Sequence, residues 1–261
     1  MTTYPLRILN SSVVPAIEPH QSVETSQREC TVALKRYGKG ELSNHEDSIA
    51  VEADLIVYVN GQRDGVLSRT PGNDLNLIVG HLFCNGMINS SEDVANISFS
   101  YQNPAHVDVF LDTGKGRSRL FPSRPPVRLS PLQLFELKAT FERRQNLFKN
   151  TGSTHAAALF SLNGELLVFG EDVGRHNAFD KAIGRALLEG ILEQTAIAMI
   201  SSRIAVELTA KATIANIPVL CGFSAATSSG VNFAEQHDIT LVGRLKEDSF
   251  DVYTNAWRMQ E

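Results

Sequence analysis

Cysteine, positive charge and long apolar runs are all scarce in this sequence. The three cysteines among 261 residues, Cys30, Cys84 and Cys221, are an odd number at wide spacing, which excludes a disulfide framework and a zinc knuckle. A formal net charge of −5 argues against a nucleic-acid partner, because nucleic-acid-binding proteins normally carry a basic excess. No apolar run is long enough to cross a bilayer, and residues 1–27 lack the hydrophobic stretch of a secretory signal. We therefore expect a cytoplasmic protein without a membrane partner or a metal of its own.

The first half of the chain is predicted to form a small β-rich α+β domain over residues 30–112. Asn60-Gly61 is a favoured two-residue hairpin turn, and the apolar spacing over 74–84 predicts a helix. Alternating apolar and polar residues predict strands at 31–37, 49–59, 66–70, 97–101 and 107–111. Residues 1–29, a mixture of Pro, Ser, Glu and Gln, are predicted to be a mobile leader.

A basic segment follows this domain. Residues 113–128 carry four arginines and three prolines, so we predict an interdomain loop over 113–130. Its arginines could serve an anionic ligand, or the segment could be a solvated linker.

The second half, residues 131–261, is predicted to be an α/β domain. A helix begins at Pro131, and Asn163-Gly164 then joins two strands in a hairpin. Strands and helices alternate after the hairpin, with strands at 195–200, 217–221, 239–243 and 250–253 and a helix at 202–215. An antiparallel hairpin followed by alternating units predicts a mixed sheet between two layers of helices, a three-layer α/β/α arrangement.

The segment from Gly170 to Lys181 contains the densest group of polar residues in this half. It lies between an apolar strand and a helix, and its turn carries two carboxylates, a guanidinium, an imidazole and an amide. Ligands of open α/β sheets bind at such strand-to-helix turns. Two interpretations remain open: a ligand site, or a turn in which Asp172 and Arg175 pair with each other.

Polar turns follow three further strands of the predicted sheet. Because parallel strands end at the same edge, we expect these turns to converge on a pocket for phosphate or a nucleotide. The candidate residues are Thr154, His155, Asp172, Gly174, Arg175, His176, Asn177, Ser201, Ser202, Arg203, Ser224 and Thr227. Any single hydroxyl could instead be an ordinary helix N-cap, and His155 could be a half-buried core histidine. Lys181 and Lys211 are predicted to be solvated.

The motifs at 170–181, 151–158, 201–208 and 239–254 resemble those of the formate dehydrogenase accessory proteins, the FdhD family, from about residue 30 onwards. The resemblance implies a homodimeric sulfur carrier, a sulfurtransferase of molybdenum-cofactor biosynthesis. Such a protein takes sulfur from a cysteine desulfurase and passes it to molybdenum bis(molybdopterin guanine dinucleotide) before the cofactor enters formate dehydrogenase. It also implies a cytidine-deaminase-like fold for residues 131–261, with the guanine nucleotides in the strand-end pocket. The matching cofactor-contacting loop comprises Arg244, Leu245, Lys246, Glu247, Asp248 and Ser249.

The sequence departs from the family at the sulfur-carrying position. The family's Cys-x-x-Cys type motif should lie in the interdomain loop, but residues 113–128 contain no cysteine. A persulfide requires an accessible thiolate, and of the three cysteines only Cys30 is not predicted to be packed inside the fold. Two hypotheses remain: a sulfur carrier that uses Cys30, or a non-catalytic cofactor-binding chaperone. A zinc deaminase is rejected because its Pro-Cys-x-x-Cys ligands are missing.

Overall fold

The computed structural model describes residues 27–112 and 126–260. The predicted leader and the predicted interdomain loop therefore lie almost entirely outside the described residues. Within them the chain forms twelve strands and six α-helices in a mixed α/β architecture.

The first half contains a two-stranded hairpin and a four-stranded sheet. The hairpin pairs β1 (Glu29–Gly38) with β2 (Glu41–Ala50), and most of its residues are exposed. The four-stranded sheet has the order β4-β3-β6-β5 and is formed by β3 (Ala53–Val59), β4 (Gln62–Arg69), β5 (Val94–Ser100) and β6 (His106–Leu111). The single strand predicted over 49–59 is wrong, because the chain leaves the hairpin after Ala50 and enters the other sheet at Ala53. The Asn60-Gly61 turn is confirmed: both residues have positive φ and connect β3 to β4.

The helix predicted over 74–84 is confirmed as α1 (Asp74–Cys84). One of its faces packs against the four-stranded sheet, and it also contacts a helix of the second half, α4 (Arg175–Leu188). The two helix backbones approach closely because glycines meet at the crossing. A Cβ on Gly80 would lie 1.9 Å from the Asp180 carbonyl oxygen, and one on Gly184 would lie 2.0 Å from that of Asn76.

The second half is built on a six-stranded mixed sheet with the order β12-β11-β10-β9-β7-β8. Strands β9, β10 and β11 are parallel, whereas β7 pairs antiparallel with both β8 and β9. The strands are β7 (His155–Ser161), β8 (Leu166–Asp172), β9 (Thr195–Ile200), β10 (Val219–Gly222), β11 (Thr240–Gly243) and β12 (Asp251–Val252).

The other helices of this half are α2 (Pro131–Arg144), α3 (Asn146–Thr151), α5 (Val206–Ile214) and α6 (Ser228–Gln236). Helix α5 begins four residues later than predicted, because Ile204 forms a β-bridge with Ala226 and its neighbours cannot be helical.

Two hydrophobic clusters cover the two faces of this sheet. One contains Phe141 of α2, and the other contains Phe179 of α4 and Leu208 of α5. The sheet therefore lies between two helical layers, as predicted. The α4 cluster also includes Leu55 and Ile78 of the first half, so the two halves share one continuous core. The proposed domain boundaries stay a prediction.

The prediction that Lys181 and Lys211 are solvated is wrong. Lys181 is 2% exposed and its Nζ lies 2.7 Å from Asp172 Oδ2, and the 12% exposed Lys211 forms an ion pair with the buried Asp180. Both lysines lie between packed elements, where a charged group is tolerated only with a partner. No helix among the described residues is long and apolar enough to cross a membrane.

Candidate functional site

One edge of the six-stranded sheet gathers the predicted polar turns. Strands β8, β9, β10 and β11 run in the same direction and end at this edge, where β7 begins. The main-chain amide of Ala156 donates to Ser201 Oγ at 3.0 Å, and His155 Nδ1 lies 3.4 Å from the same oxygen. The strands therefore end at one edge, as predicted, whereas a pocket for phosphate or a nucleotide at this edge stays a prediction.

Asp172 is a structural anchor at this edge. Its carboxylate is 0% exposed. Oδ2 accepts from the Thr70 amide at 3.1 Å and pairs with Lys181 Nζ, and Oδ1 accepts from the Gly174 amide at 2.9 Å and from Asn177 Nδ2 at 3.0 Å. The Asp172–Arg175 pair considered for this turn is not formed in the described structure.

Two other residues of the segment join the halves of the protein. Asn177 Nδ2 also donates to the Ser68 carbonyl at 2.7 Å, and Lys181 Nζ donates to the Thr70 carbonyl at 2.8 Å. Glu171 accepts from the amides of Leu147 and Phe148 and so caps the start of α3. Five of the segment's seven polar side chains therefore have partners within the protein, and those of Glu171, Asp172, Asn177 and Lys181 hold the end of β8 in place.

Arg175 and His176 remain available for a ligand. Arg175 is half-buried, and its guanidinium makes no hydrogen bond or ion pair with any residue that the structure describes. Both residues begin α4, whose N-cap Gly174 offers no side-chain cap to the first amides of the helix. A helix start with free amides and an unpaired guanidinium attracts anions.

The histidines at this edge are held neutral near pH 7. Burial lowers the pKa of His155, and the positive charge of Arg175 lowers it further, against an opposing effect of Asp172. Burial also lowers the pKa of His176, with added effects of Lys211 and Arg175, while Asp180 and Glu207 oppose them. A bound anion would reverse part of these shifts, because negative charge favours the protonated ring.

A cleft of about 420 Å³ opens beside His155. This volume is in the range of roughly 300–1,000 Å³ typical of small-molecule sites. The lining residues come from α2, α3, the start of β7 and the ends of β9 and β10: Glu142, Gln145, Phe148, Gly152, Ser153, Thr154, His155, Ser201 and Phe223. Thr154 Oγ1 is buried and has no hydrogen-bond partner among the described residues.

The other predicted contact residues lie along the same edge, but several already have structural partners. Thr227 is the N-cap of α6 and accepts from the Gly230 amide at 3.2 Å, and Ser202 Oγ donates to the Arg203 carbonyl. Arg203 is exposed and Ser224 is half-buried. Ligand contact by these residues stays a prediction.

The predicted cofactor loop follows β11. Leu245 is 2% exposed and packs in the α2 core cluster, so its side chain anchors the loop. Arg244 pairs with Asp251 at 3.1 Å. The other members, Lys246, Glu247, Asp248 and Ser249, are exposed, and their contact with a cofactor also stays a prediction.

The cysteines differ in accessibility. Cys221 is fully buried, and burial raises the pKa of its thiol to about 12. Cys84 is 5% exposed, whereas Cys30, at the start of the β1–β2 hairpin, is half-buried. Neither Cys84 nor Cys221 can present a thiolate to a partner. The residues that the structure describes hold no cluster of three or more His, Cys, Asp or Glu arranged to bind a metal.

Sequence reasoning missed the cleft wall formed by Glu142, Gln145, Phe148 and Phe223. The sequence predicts a continuous helix after Pro131, which would include Glu142, Gln145 and Phe148, whereas Phe223 follows a predicted strand. The structure breaks that helix at Gln145, between α2 and α3, and the break forms the wall. Gln145 and Asn146, two polar residues at the break, were the only local signal.

Comparisons with known proteins agree with this architecture. A Sulfolobus acidocaldarius protein named sulfur carrier protein FdhD is 37% identical over 246 residues, covering 87% of this chain and 97% of its own. A Mycolicibacterium paratuberculosis protein of the same name is 35% identical over 257 residues, covering 84% of this chain and 94% of its own.

A crystal structure of a Desulfotalea psychrophila protein, proposed to be a formate dehydrogenase accessory protein, shares the fold. Its TM-score is 0.76 at 22% identity, over 89% of this chain and 99% of that one. The FdhD/NarQ family profile matches residues 50–120 and 108–260. This chain belongs to the FdhD/NarQ family.

Proposed function

We propose that this protein is a formate dehydrogenase accessory protein that binds molybdenum bis(molybdopterin guanine dinucleotide) as its cargo and passes sulfur to it in the cytoplasm. The single observation that carries the binding role is the cleft at the strand-end edge, where the buried Thr154 hydroxyl has no hydrogen-bond partner among the described residues and where the charge of Arg175 lowers the pKa of the adjacent His155. The names of the relatives support the link to sulfur and to formate dehydrogenase.

The edge offers the two environments that a nucleotide requires. Phe148 and Phe223 supply aromatic surface in the cleft, on which a base can stack. The start of α4 supplies free amides, Arg175 and His176 for phosphate. His155 lines the cleft, and the charge of Arg175 lowers its pKa, so we place it between the base and the phosphates. We therefore place a guanylyl group of the cofactor across this edge.

Further features are part of the same proposal. The mixed three-layer domain follows the cytidine-deaminase-like topology, the protein acts as a homodimer, and the loop 244–249 closes over the cofactor. A cysteine desulfurase donates the sulfur and formate dehydrogenase receives the finished cofactor.

Replacing Arg175 with Ala should weaken binding of guanosine diphosphate roughly 10- to 100-fold, because a charge-assisted hydrogen bond to phosphate is lost. Isothermal titration calorimetry measures the affinity. Since Arg175 has no protein partner in the described structure, the unfolding midpoint should hardly change. Arg185→Ala is the matched control: Arg185 lies near the other end of α4, paired with Glu189, and its removal should leave the affinity unchanged. Equal affinities for both variants would contradict the proposed site.

Sulfur transfer can be tested at Cys30. In the proposed step the Cys30 thiolate attacks the terminal sulfur of the desulfurase persulfide. A new S–S bond forms on Cys30, and the desulfurase cysteine leaves as its thiolate. Mass spectrometry of the intact chain, after incubation with desulfurase and cysteine, should show one added sulfur. The gain should vanish in Cys30→Ser and persist in Cys84→Ser, since Cys84 is 5% exposed.

A second function is a cofactor-binding chaperone without sulfur chemistry. The burial of Cys84 and Cys221, together with a loop that has no cysteine, favours it. It predicts that no sulfur is added to the wild-type chain while guanosine diphosphate still binds. The two measurements together separate the candidates, because loading of Cys30 excludes the chaperone and binding without loading excludes the carrier.

A further inference from the structure

Two buried polar side chains of the cleft make no hydrogen bond with the part of the chain that the structure describes. Thr154 is 5% exposed, and its Oγ1 has no hydrogen-bond partner among the described residues. Gln145 is 6% exposed and lines the same cleft, and within residues 27–112 and 126–260 its side-chain amide makes no hydrogen bond. Nearly all buried polar groups in folded proteins are hydrogen-bonded. Thr154 Oγ1 is one of five such exceptions among the described residues and the one that lines this cleft, so the cleft suits a polar ligand.

The rim of the cleft carries one fixed carboxylate. Glu142 lines the cleft, and its Oε1 accepts from Lys138 Nζ at 2.5 Å. The Lys138 ammonium lies 5.3 Å from the centroid of the Phe223 ring. Lys138 is itself 7% exposed, and its ion pair keeps the 46% exposed Glu142 side chain on the side of the cleft that carries Phe223. Glu142 Oε2 makes no hydrogen bond to any residue that the structure describes and remains available to a ligand.

We propose, on the basis of the function proposed above, that Glu142 is the residue that selects guanine in this cleft. The amide of Gln145 and the hydroxyl of Thr154 can each donate or accept, so they adapt to any base. An ionised carboxylate only accepts. Guanine presents two adjacent donors, N1–H and the 2-amino group, whereas adenine presents an acceptor at N1. Glu142 therefore attracts guanine and opposes adenine.

The same geometry sets the orientation of the bound nucleotide. The base lies towards α2 and α3, next to Glu142, and the phosphates lie towards the start of α4, next to Arg175. His155 marks the middle of this path. Base selection and phosphate binding are therefore made by different residues and can be changed separately.

The test compares the affinities of guanosine, inosine and adenosine diphosphates for the full chain by isothermal titration calorimetry. Inosine diphosphate differs from the guanosine compound only by lacking the 2-amino group. The wild type should bind guanosine diphosphate roughly 10- to 100-fold more tightly than either of the others. In Glu142→Gln this preference over inosine diphosphate should disappear, and the affinity for adenosine diphosphate should rise, because a side-chain amide can donate to adenine N1.

Glu136→Gln is the matched control, because it removes an exposed carboxylate of the same helix that does not line the cleft. It should retain the preference for guanosine over inosine diphosphate. The inference is overturned if Glu142→Gln leaves that preference unchanged, or if Glu136→Gln abolishes it as fully. In both cases guanosine diphosphate still binds and the proposed function stands. If no nucleoside diphosphate binds the wild type, the proposed cofactor site itself fails, and this inference fails with it.

Discussion

Replacing Asp172 with Asn should lower the free energy of unfolding by about 3–5 kcal/mol, the cost typical of breaking a buried ion pair. The side-chain amide would turn a donor towards the Thr70 amide and towards Lys181, two groups that need an acceptor. Lys181, 2% exposed, would keep the Thr70 carbonyl as its acceptor. Urea denaturation at pH 7 measures the loss.

The pH dependence identifies the buried lysine as the cause. Burial lowers the pKa of Lys181 from 10.5, and Asp172 opposes this shift. Without the carboxylate the folded-state pKa falls further below the unfolded value. Between these two pKa values the unfolded state binds more protons than the folded state. The free energy of unfolding of the variant therefore rises with pH in this range. We expect the difference in free energy of unfolding between the wild type and the Asp172→Asn variant to become smaller from pH 7 towards pH 10.

Asp251→Asn is the control for this experiment. Asp251 pairs with Arg244 on the surface, where the two side chains are 48% and 62% exposed, and exposed pairs contribute at most about 1 kcal/mol. Adding Lys181→Met to the Asp172 variant should restore part of the loss, because it removes the unpaired ammonium. If the Asp172 variant loses no more stability than the Asp251 variant, the buried network is not what joins the two halves.

Replacing Gly184 with Ala should destabilise the protein by about 3 kcal/mol, at the upper end of typical overpacking costs. In an isolated helix the same change would stabilise by about 1 kcal/mol, so the sign of the effect reports the tertiary contact. The new Cβ would lie 2.0 Å from the Asn76 carbonyl oxygen and 2.5 Å from the Gly80 amide nitrogen. Both are backbone atoms of α1, and the helices must move apart. Thermal and urea denaturation both measure the effect.

Gly65→Ala is the comparison for Gly184→Ala. Gly65 lies in β4, and a Cβ there would meet nothing within 4 Å. The free energy of unfolding of the Gly65→Ala protein should therefore change by less than about 1 kcal/mol. A stabilised Gly184 variant would show that α1 and α4 do not cross as closely as described.

Local sequence patterns were sufficient wherever a segment's structure depends on its own side chains. The helix from Asp74 to Cys84 and the strand from Thr195 to Ile200 have the predicted bounds, because their apolar residues alone define a buried face. Turns at Asn60-Gly61 and Asn163-Gly164 were predicted from the dipeptides themselves, which favour hairpin connections. Segments whose structure depends on distant partners were not predicted correctly from local patterns. Ser202 fits a helix start, yet the Ile204–Ala226 bridge keeps its surroundings extended.

The sequence by itself determined the mixed α/β architecture, the edge where the polar turns meet, the family and the absence of a cysteine between residues 113 and 128. Only the tertiary structure decided which polar residues of that edge are free. Asp172, Asn177 and Lys181 have the composition of a site, but contacts with Ser68 and Thr70, more than a hundred residues away, occupy them. No local sequence pattern marked Glu142 and Gln145 as site residues. The break between α2 and α3 places them in the cleft. The difference arises because a side chain's chemistry is local, whereas its partners are set by the packing of distant segments.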